Sequence, residues 1–174
     1  CYILIGIAHK RNMNYKQAEE NFLLAQKIVN ELNISEQDSV INSNLGSLMS
    51  VMGHSDLAIQ YYYKSLESKT TLDIKLTTIF SIVQEYYKLN NFSEVTSWCE
   101  NGLELISDVS DNSFISYSFH FKLYLALTNE LQNIEEILIE TISFFENIED
   151  FRHVQKYSIL LAEYYSSHRK YKNA

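Results

Sequence analysis

The side chains with chemistry to offer are hydroxyls, amides, aromatics and scattered charges at helical spacing. Ser43, Ser47 and Ser50, then Phe80, Gln84 and Tyr87, then Lys122, Ala126 and Asn129, then Ile159, Glu163 and Ser166, each fall at i, i+4 and i+7. On a helix that spacing puts all three side chains on one face. Asn44 lies beside the first group and Lys156 precedes the last. An amide presents donor and acceptor together, so Asn44 or Gln84 can hold a peptide main chain whatever its side chains. Phe80 and Tyr87 are candidate apolar anchors, and Lys122 and Lys156 can meet a carboxylate. The same residues also have a structural reading, with Phe80 and Tyr87 in the core, Ser43 and Ser47 permitting close helix packing, and Lys122 solvated.

Reaction chemistry is poorly provided for. His9, His54, His120, His153 and His168 include no pair at the i, i+4 spacing of a helical metal site. Glu135, Glu136 and Glu140 read as a solvated helix face. Cys99 reads as a small buried hydrophobe, since a nucleophilic thiol needs an electropositive, accessible setting. No glycine-rich phosphate loop occurs. We expect no enzyme, no metal and no cofactor.

The elements that must position these residues recur along the chain. Tyr15/Ala18, Ser55/Ala58, Phe92/Val95, Ile134/Ile137 and Tyr171/Ala174 repeat one large-then-small pairing every 37 to 42 residues. Such a period marks stacked supersecondary units, none able to bury its apolar face alone. Apolar periodicity predicts helices at 2–12, 15–32, 36–52, 56–69, 73–89, 92–107, 114–131, 134–147, 150–168 and from 171 onward. Gly53 is placed to take the left-handed conformation that ends a helix and Ser55 to cap the next. Asn90 with Asn91, Asn14 and Asn133 hold equivalent places. Longer breaks at 33–35 and 107–113 separate units. The expected fold is all-α, a right-handed superhelical α-solenoid of antiparallel helix pairs, in one domain over 1–174 with about four and a half repeats.

Composition is consistent with this and excludes some partners. The chain has no proline and only four glycines, so helices run uninterrupted. A formal charge of −8 disfavours direct nucleic-acid contact, which depends on clustered Lys and Arg. The apolar start, Cys1 to Ala8, is too short to span a bilayer, and two cysteines form no disulfide framework, so a cytoplasmic setting without membrane is expected. A start without Met and an end at the opening of another helix suggest a fragment. Trp98, Tyr61 to Tyr63, Tyr164 with Tyr165, and Phe144 with Phe145 exceed what one helix face buries, which makes a homodimer a candidate.

In its first unit, Tyr2, Ile5, Gly6, Tyr15, Ala18, Phe22 and Ala25 fall at the landmark spacing of the tetratricopeptide repeat, and Leu45, Gly46, Ala58 and Tyr62 repeat it in the second. Val83, Val95 and Gly102, then Leu125, Ile137 and Phe144, keep the spacing with weaker identity. Small residues at Gly6, Gly46 and Ala162 imply close helix crossings, and Leu125 a wider one. In style the chain also resembles the peptide-sensing Rap, Rgg, NprR and PlcR (RRNPP) regulators of Gram-positive bacteria. That resemblance implies a short signalling peptide held in the concave groove, with Asn44 standing where such modules use an asparagine on the peptide backbone. The implied site is Ser43, Asn44, Ser47, Phe80, Gln84, Tyr87, Lys122, Asn129, Lys156 and Glu163. A generic protein-interaction scaffold and Rap-like control of a response regulator or phosphatase are the alternatives. An N-terminal helix-turn-helix, a three-helix bundle or further repeats would separate the three.

Overall fold

With no proline to remove a backbone donor, every apolar-periodic stretch that is described closes into a helix. The computed structural model describes residues 1–32, 34, 37–107, 109, 114–129 and 133–167. Among them are nine helices: α1 (Tyr2–Arg11), α2 (Tyr15–Leu32), α3 (Asp38–Val51), α4 (Ser55–Glu67), α5 (Leu72–Lys88), α6 (Phe92–Ser107), α7 (Ile115–Thr128), α8 (Ile134–Asn147) and α9 (Phe151–Ser167). Each matches an expected span to within three residues at either end. The tenth expected helix, the pairing at Tyr171/Ala174 and most of the two longer breaks lie outside the described residues. The fold class is an all-α solenoid of antiparallel helix pairs, with α1 to α5 packing in succession in the first part of the chain and α7 to α9 in the second. The chain forms two compact units, Cys1–Glu94 and Val95–Ala174.

In the first unit the pattern that makes α2 amphipathic is explicit. Ala18, Phe22, Ala25 and Val29 are buried along one stripe, while the opposite face carries the exposed Lys27–Glu31 pair at 3.8 Å. Such an exposed pair contributes little, so packing of the stripe holds the helix. Small residues let the partner helix approach. A Cβ on Gly6 would come within 2.6 Å of the Phe22 ring, and one on Gly46 within 2.6 Å of Tyr62. Both expected close crossings are therefore real. In the second unit Gly102 meets Phe121 in the same way. The helix expected to cross at Ala162 lies outside the described residues, and Ala162 is exposed.

Four tight turns share one hydrogen-bond scheme. After α1, α3, α5 and α8 the chain makes paired bonds, for example Met13 N to Lys10 O at 3.1 Å and Asn14 N to His9 O at 2.9 Å. This is the Schellman closure, which needs a left-handed residue just past the helix. Met13 (φ 60°), Gly53 (φ 82°), Asn90 (φ 55°) and Glu149 (φ 58°) occupy it. Gly53 and Asn90 thus do as expected, and Asn91 Oδ1 accepts from Glu94 N at 3.5 Å. Two capping expectations fail. Ser55 is already the first residue of α4, and its hydroxyl donates to Glu85 instead. Asn133 precedes α8 without a side-chain cap bond.

Methionine and glutamate pay a steric penalty at positive φ that glycine does not. We expect Met13→Gly and Glu149→Gly each to raise stability by roughly 0.5–1 kcal/mol in urea melts. A loss of stability in both would show that these side chains hold the turns.

The aromatic surplus is absorbed largely within the units. Tyr62 is buried, and the hydroxyls of Tyr63 and Tyr86 meet at 2.6 Å. Phe144 stacks on Phe119 at 4.2 Å, and Phe145 is 1% exposed in a core with Leu123, Leu138 and Tyr157. Intramolecular packing thus accounts for most of the side chains that had suggested a subunit contact. No helix among the described residues is long and apolar enough to cross a membrane.

Candidate functional site

In the first unit α1, α3 and α5 are the first helices of successive pairs, and α3 touches both α1 and α5. Their facing polar residues are cross-linked. Lys10 Nζ donates to Ser47 Oγ at 2.8 Å, from α1 to α3. Burial, and then the Arg11 charge, hold the Lys10 ammonium below the usual lysine range. Thr78 Oγ1 reaches Ser43 Oγ at 3.4 Å, from α5 to α3.

The strongest link is Glu85, only 1% exposed. Its carboxylate accepts from Ser50 Oγ at 2.6 Å, Ser55 Oγ at 2.7 Å and Lys88 Nζ at 2.6 Å, so α5 is tied to both helices of the preceding pair. Burial by itself would raise this carboxyl. Hydrogen bonds from Lys88, Ser50 and Ser55, with the Lys88 charge, outweigh it and hold the pKa below the usual range. Nothing in the spacing had singled out Glu85. Its partners lie 30 and 35 residues upstream, a separation at which helix periodicity carries no information.

The expected peptide-binding residues sort accordingly. Asn44 is half-buried on the wall of a 220 Å³ cavity with Ser43, Asp73 and Thr77, and its amide donates to Val40 O at 2.8 Å. Gln84 is half-buried. Tyr87 is half-buried with its ring 5.9 Å from Phe92. Ser47 and Ser50 are engaged by Lys10, Glu85 and Lys88. Phe80 requires correction as an exposed anchor, being 9% exposed and part of the core.

In the second unit Lys122 is exposed on the wall of a 320 Å³ cavity with Leu103, Phe114 and Ser118, and of a 250 Å³ cavity with Phe119, Glu140 and Thr141. Ala126, expected on the same face, is fully buried. Helix α7 is apolar on nearly every side, burying His120, Phe121, Leu123, Tyr124 and Ala126, so i, i+4, i+7 counting had no polar stripe to find there. Asn129 caps the end of α7 and is exposed, and Glu163 is exposed on α9. Lys156 Nζ donates to Tyr124 OH at 3.2 Å and sits 5.5 Å from the centres of the Tyr124 and Tyr157 rings.

A buried ring cluster that sequence spacing had missed joins α7, α8 and α9. His120 Nδ1 bonds to Tyr157 OH, and the His120 ring stacks on Phe145 at 4.8 Å and lies 4.6 Å from the His153 ring. His153 Nδ1 in turn pairs with Asp150 Oδ2 at 2.7 Å. Burial first, then the charges of His153 and Lys156, push His120 down to about 2. It is a neutral structural imidazole. No group of three metal-ligating side chains occurs among the described residues.

Cys99 is fully buried, and burial, then the Glu100 charge, pushes its thiol up to about 12. The thiolate needed for nucleophilic attack is therefore absent at neutral pH. With a disulfide reagent at pH 8 we expect one thiol, the exposed Cys1, to react at once and the second only on unfolding. Immediate reaction of both would contradict the packing around Cys99.

Three buried hydroxyls among the described residues lack a hydrogen-bond partner, Ser39 Oγ, Thr70 Oγ1 and Thr141 Oγ1. An orphaned buried hydroxyl costs about 1–3 kcal/mol, so each needs a reason. All three stand on cavity walls.

Stacked helix pairs, with the first helices of the first unit linked by hydrogen bonds, define a helical-repeat array of tetratricopeptide type. The chain is 34% identical over 184 residues to the transcriptional activator NprA of Geobacillus stearothermophilus, an alignment taking in 100% of this chain and 45% of NprA. The solved structure of the apo form of RapI shares the fold, with a TM-score of 0.77 at 19% identity over 97% of this chain and 46% of that one. The chain thus spans less than half the length of either. No family model matches. The chain is thus similar over its whole length to part of a transcriptional activator and has the tetratricopeptide-type fold of RapI, in keeping with the resemblance to the RRNPP regulators.

Proposed function

We propose that this array is the peptide-sensing part of a cytoplasmic transcriptional regulator, which takes a short signalling peptide along its inner helices. The observation that carries the reading is the alignment of the whole chain with a transcriptional activator. Half-buried Asn44, Gln84 and Tyr87 on α3 and α5 supply the amide and aromatic contacts an extended peptide uses. Lys122, Asn129, Lys156 and Glu163 are the candidates in the second unit. DNA contact belongs, on this reading, to a further domain, since a net charge of −8 disfavours it here.

The test is isothermal titration of the chain with peptides selected from a randomised heptapeptide library, repeated with Asn44→Ala and Gln84→Ala. Weakening by roughly tenfold in either variant supports the site, at about 1.4 kcal/mol per decade. Unchanged affinity in both removes it. A second reading, implied by the resemblance to Rap-like proteins, is control of a response regulator or phosphatase through the same array. Binding of a response regulator by the whole protein, with no DNA bound, would select it. A second copy of the chain is a further proposed partner, and light scattering that gives only the 20.3 kDa mass from micromolar to near-millimolar concentration would end it.

A further inference from the structure

Turns that face water are ordinarily polar, yet each tight turn of the first unit also exposes a large apolar side chain. Met13 follows α1, Val51 and Met52 close α3, and Leu89 with Phe92 brackets the turn from α5 into α6. The turns lie side by side, because Lys10 near the end of α1 bonds to Ser47 near the end of α3, and Ser50 bonds to Glu85 near the end of α5. Single exposed apolar residues are common in folded chains, but a run repeated at adjacent turns makes a patch. These side chains form one apolar row along an edge of the unit.

Met13 separates this row from the needs of the fold. It sits at φ 60°, which costs a methionine and not a glycine, and with its side chain 76% exposed the packing returns little for that cost. Strain kept at an exposed side chain points to a contact outside the chain. Charge divides the row into two ends. Exposed Arg11 and Lys16 flank the first turn. Asp56, in the first turn of α4, and Glu94, in the first turn of α6, mark the other end. Burial first, then Tyr63, push the Tyr86 hydroxyl up, and the charges of Glu94 and Asp56 add to that, so the two carboxylates share one neighbourhood. Lys88 at that end is already paired with the buried Glu85 at 2.6 Å.

We propose that this edge is where a second copy of the chain docks, the two rows running antiparallel about a two-fold axis near Val51 and Met52. Antiparallel pairing sets the basic end of each copy on the acidic end of the other, whereas parallel pairing would set like on like. The apolar middle then meets itself, as a two-fold contact requires. Methionines at Met13 and Met52 suit such a contact, since a flexible thioether fills the gaps that two facing edges leave. This surface rests on the reading of a second copy as partner, independent of peptide sensing, and it adds which edge is used and in which orientation.

Sedimentation equilibrium of the whole 174-residue chain, from micromolar to near-millimolar concentration, measures the dissociation constant of the dimer. Met52→Glu places a charge beside the axis in both copies and is expected to weaken the dimer roughly tenfold or more. Arg11→Glu and Glu94→Arg are each expected to weaken it several-fold, and the two together to restore it to within about threefold, since the pair is then exchanged across the axis. Met13→Gly should raise the urea midpoint at a concentration where the chain is monomeric, and yet weaken the dimer by roughly threefold or more. A dimer that none of these variants weakens would overturn this edge and leave self-association standing. Losses that simply add in the double charge variant would overturn the antiparallel pairing. A chain that is monomeric at every concentration would overturn both the edge and the second copy as partner.

Discussion

Between about pH 6.5 and pH 4.5 the chain is expected to lose roughly 2–3 kcal/mol of stability, at close to 1.4 kcal/mol per pH unit, through His120 alone. The ordinary histidine value is 6.5, and the folded protein pushes His120 down to about 2. The unfolded chain therefore binds a proton in this window that the folded chain refuses. The stabilisation is complete above pH 6.5 and is lost as pH falls toward 2. Asp150 and Glu85, both held below the usual carboxylate range, act in the same direction at lower pH. Replacing His120 with glutamine separates these contributions. The amide does not titrate and keeps a hydrogen-bonding group near Tyr157, so chemical denaturation of the variant should show a shallower slope from pH 6.5 to 4.5. Equal slopes would mean that the ring takes up a proton in the folded state, and that the cluster with Phe145, His153 and Tyr157 opens in acid.

Glu85→Ala is expected to cost about 1–3 kcal/mol, the range for taking a buried acceptor from its hydrogen-bonded donors, because the half-exposed Lys88 can be solvated once its partner has gone. Ser50 and Ser55 lose their acceptor and Lys88 its counter-charge. Glu85→Gln loses the charge and one of the two acceptor oxygens, but its amide NH2 can donate to the serine that loses its acceptor, so about half that cost is expected. Urea denaturation of both variants, with Ser50→Ala and the double variant completing a cycle, measures the coupling between α3 and α5. A cost below about 1 kcal/mol for Glu85→Ala would show that water already serves the carboxylate, and that apolar packing alone joins the pairs.

The sequence by itself was enough for the helices, because each is a local pattern. The stripe Ala18, Phe22, Ala25, Val29 and the absence of proline determine α2 without reference to any other element. It was enough for the close crossings as well, since a glycine at Gly6 or Gly46 within such a stripe has few other uses. Turn chemistry was legible where one residue decides it, as at Gly53, and misleading at Ser55, whose hydroxyl finds a stronger acceptor on another helix. What occupies the inner wall was legible only as a face. Asn44, Gln84 and Tyr87 stay half-exposed there, whereas Phe80 and Ala126 turn into the core. Tertiary structure alone decided Glu85 with its serines, His120 with Tyr157, and the orphaned Ser39 and Thr70 beside Lys69. Their partners come from elements tens of residues apart, or are missing altogether. Period and propensity describe one helix at a time, while desolvation and hydrogen-bond satisfaction depend on what the neighbouring helix brings.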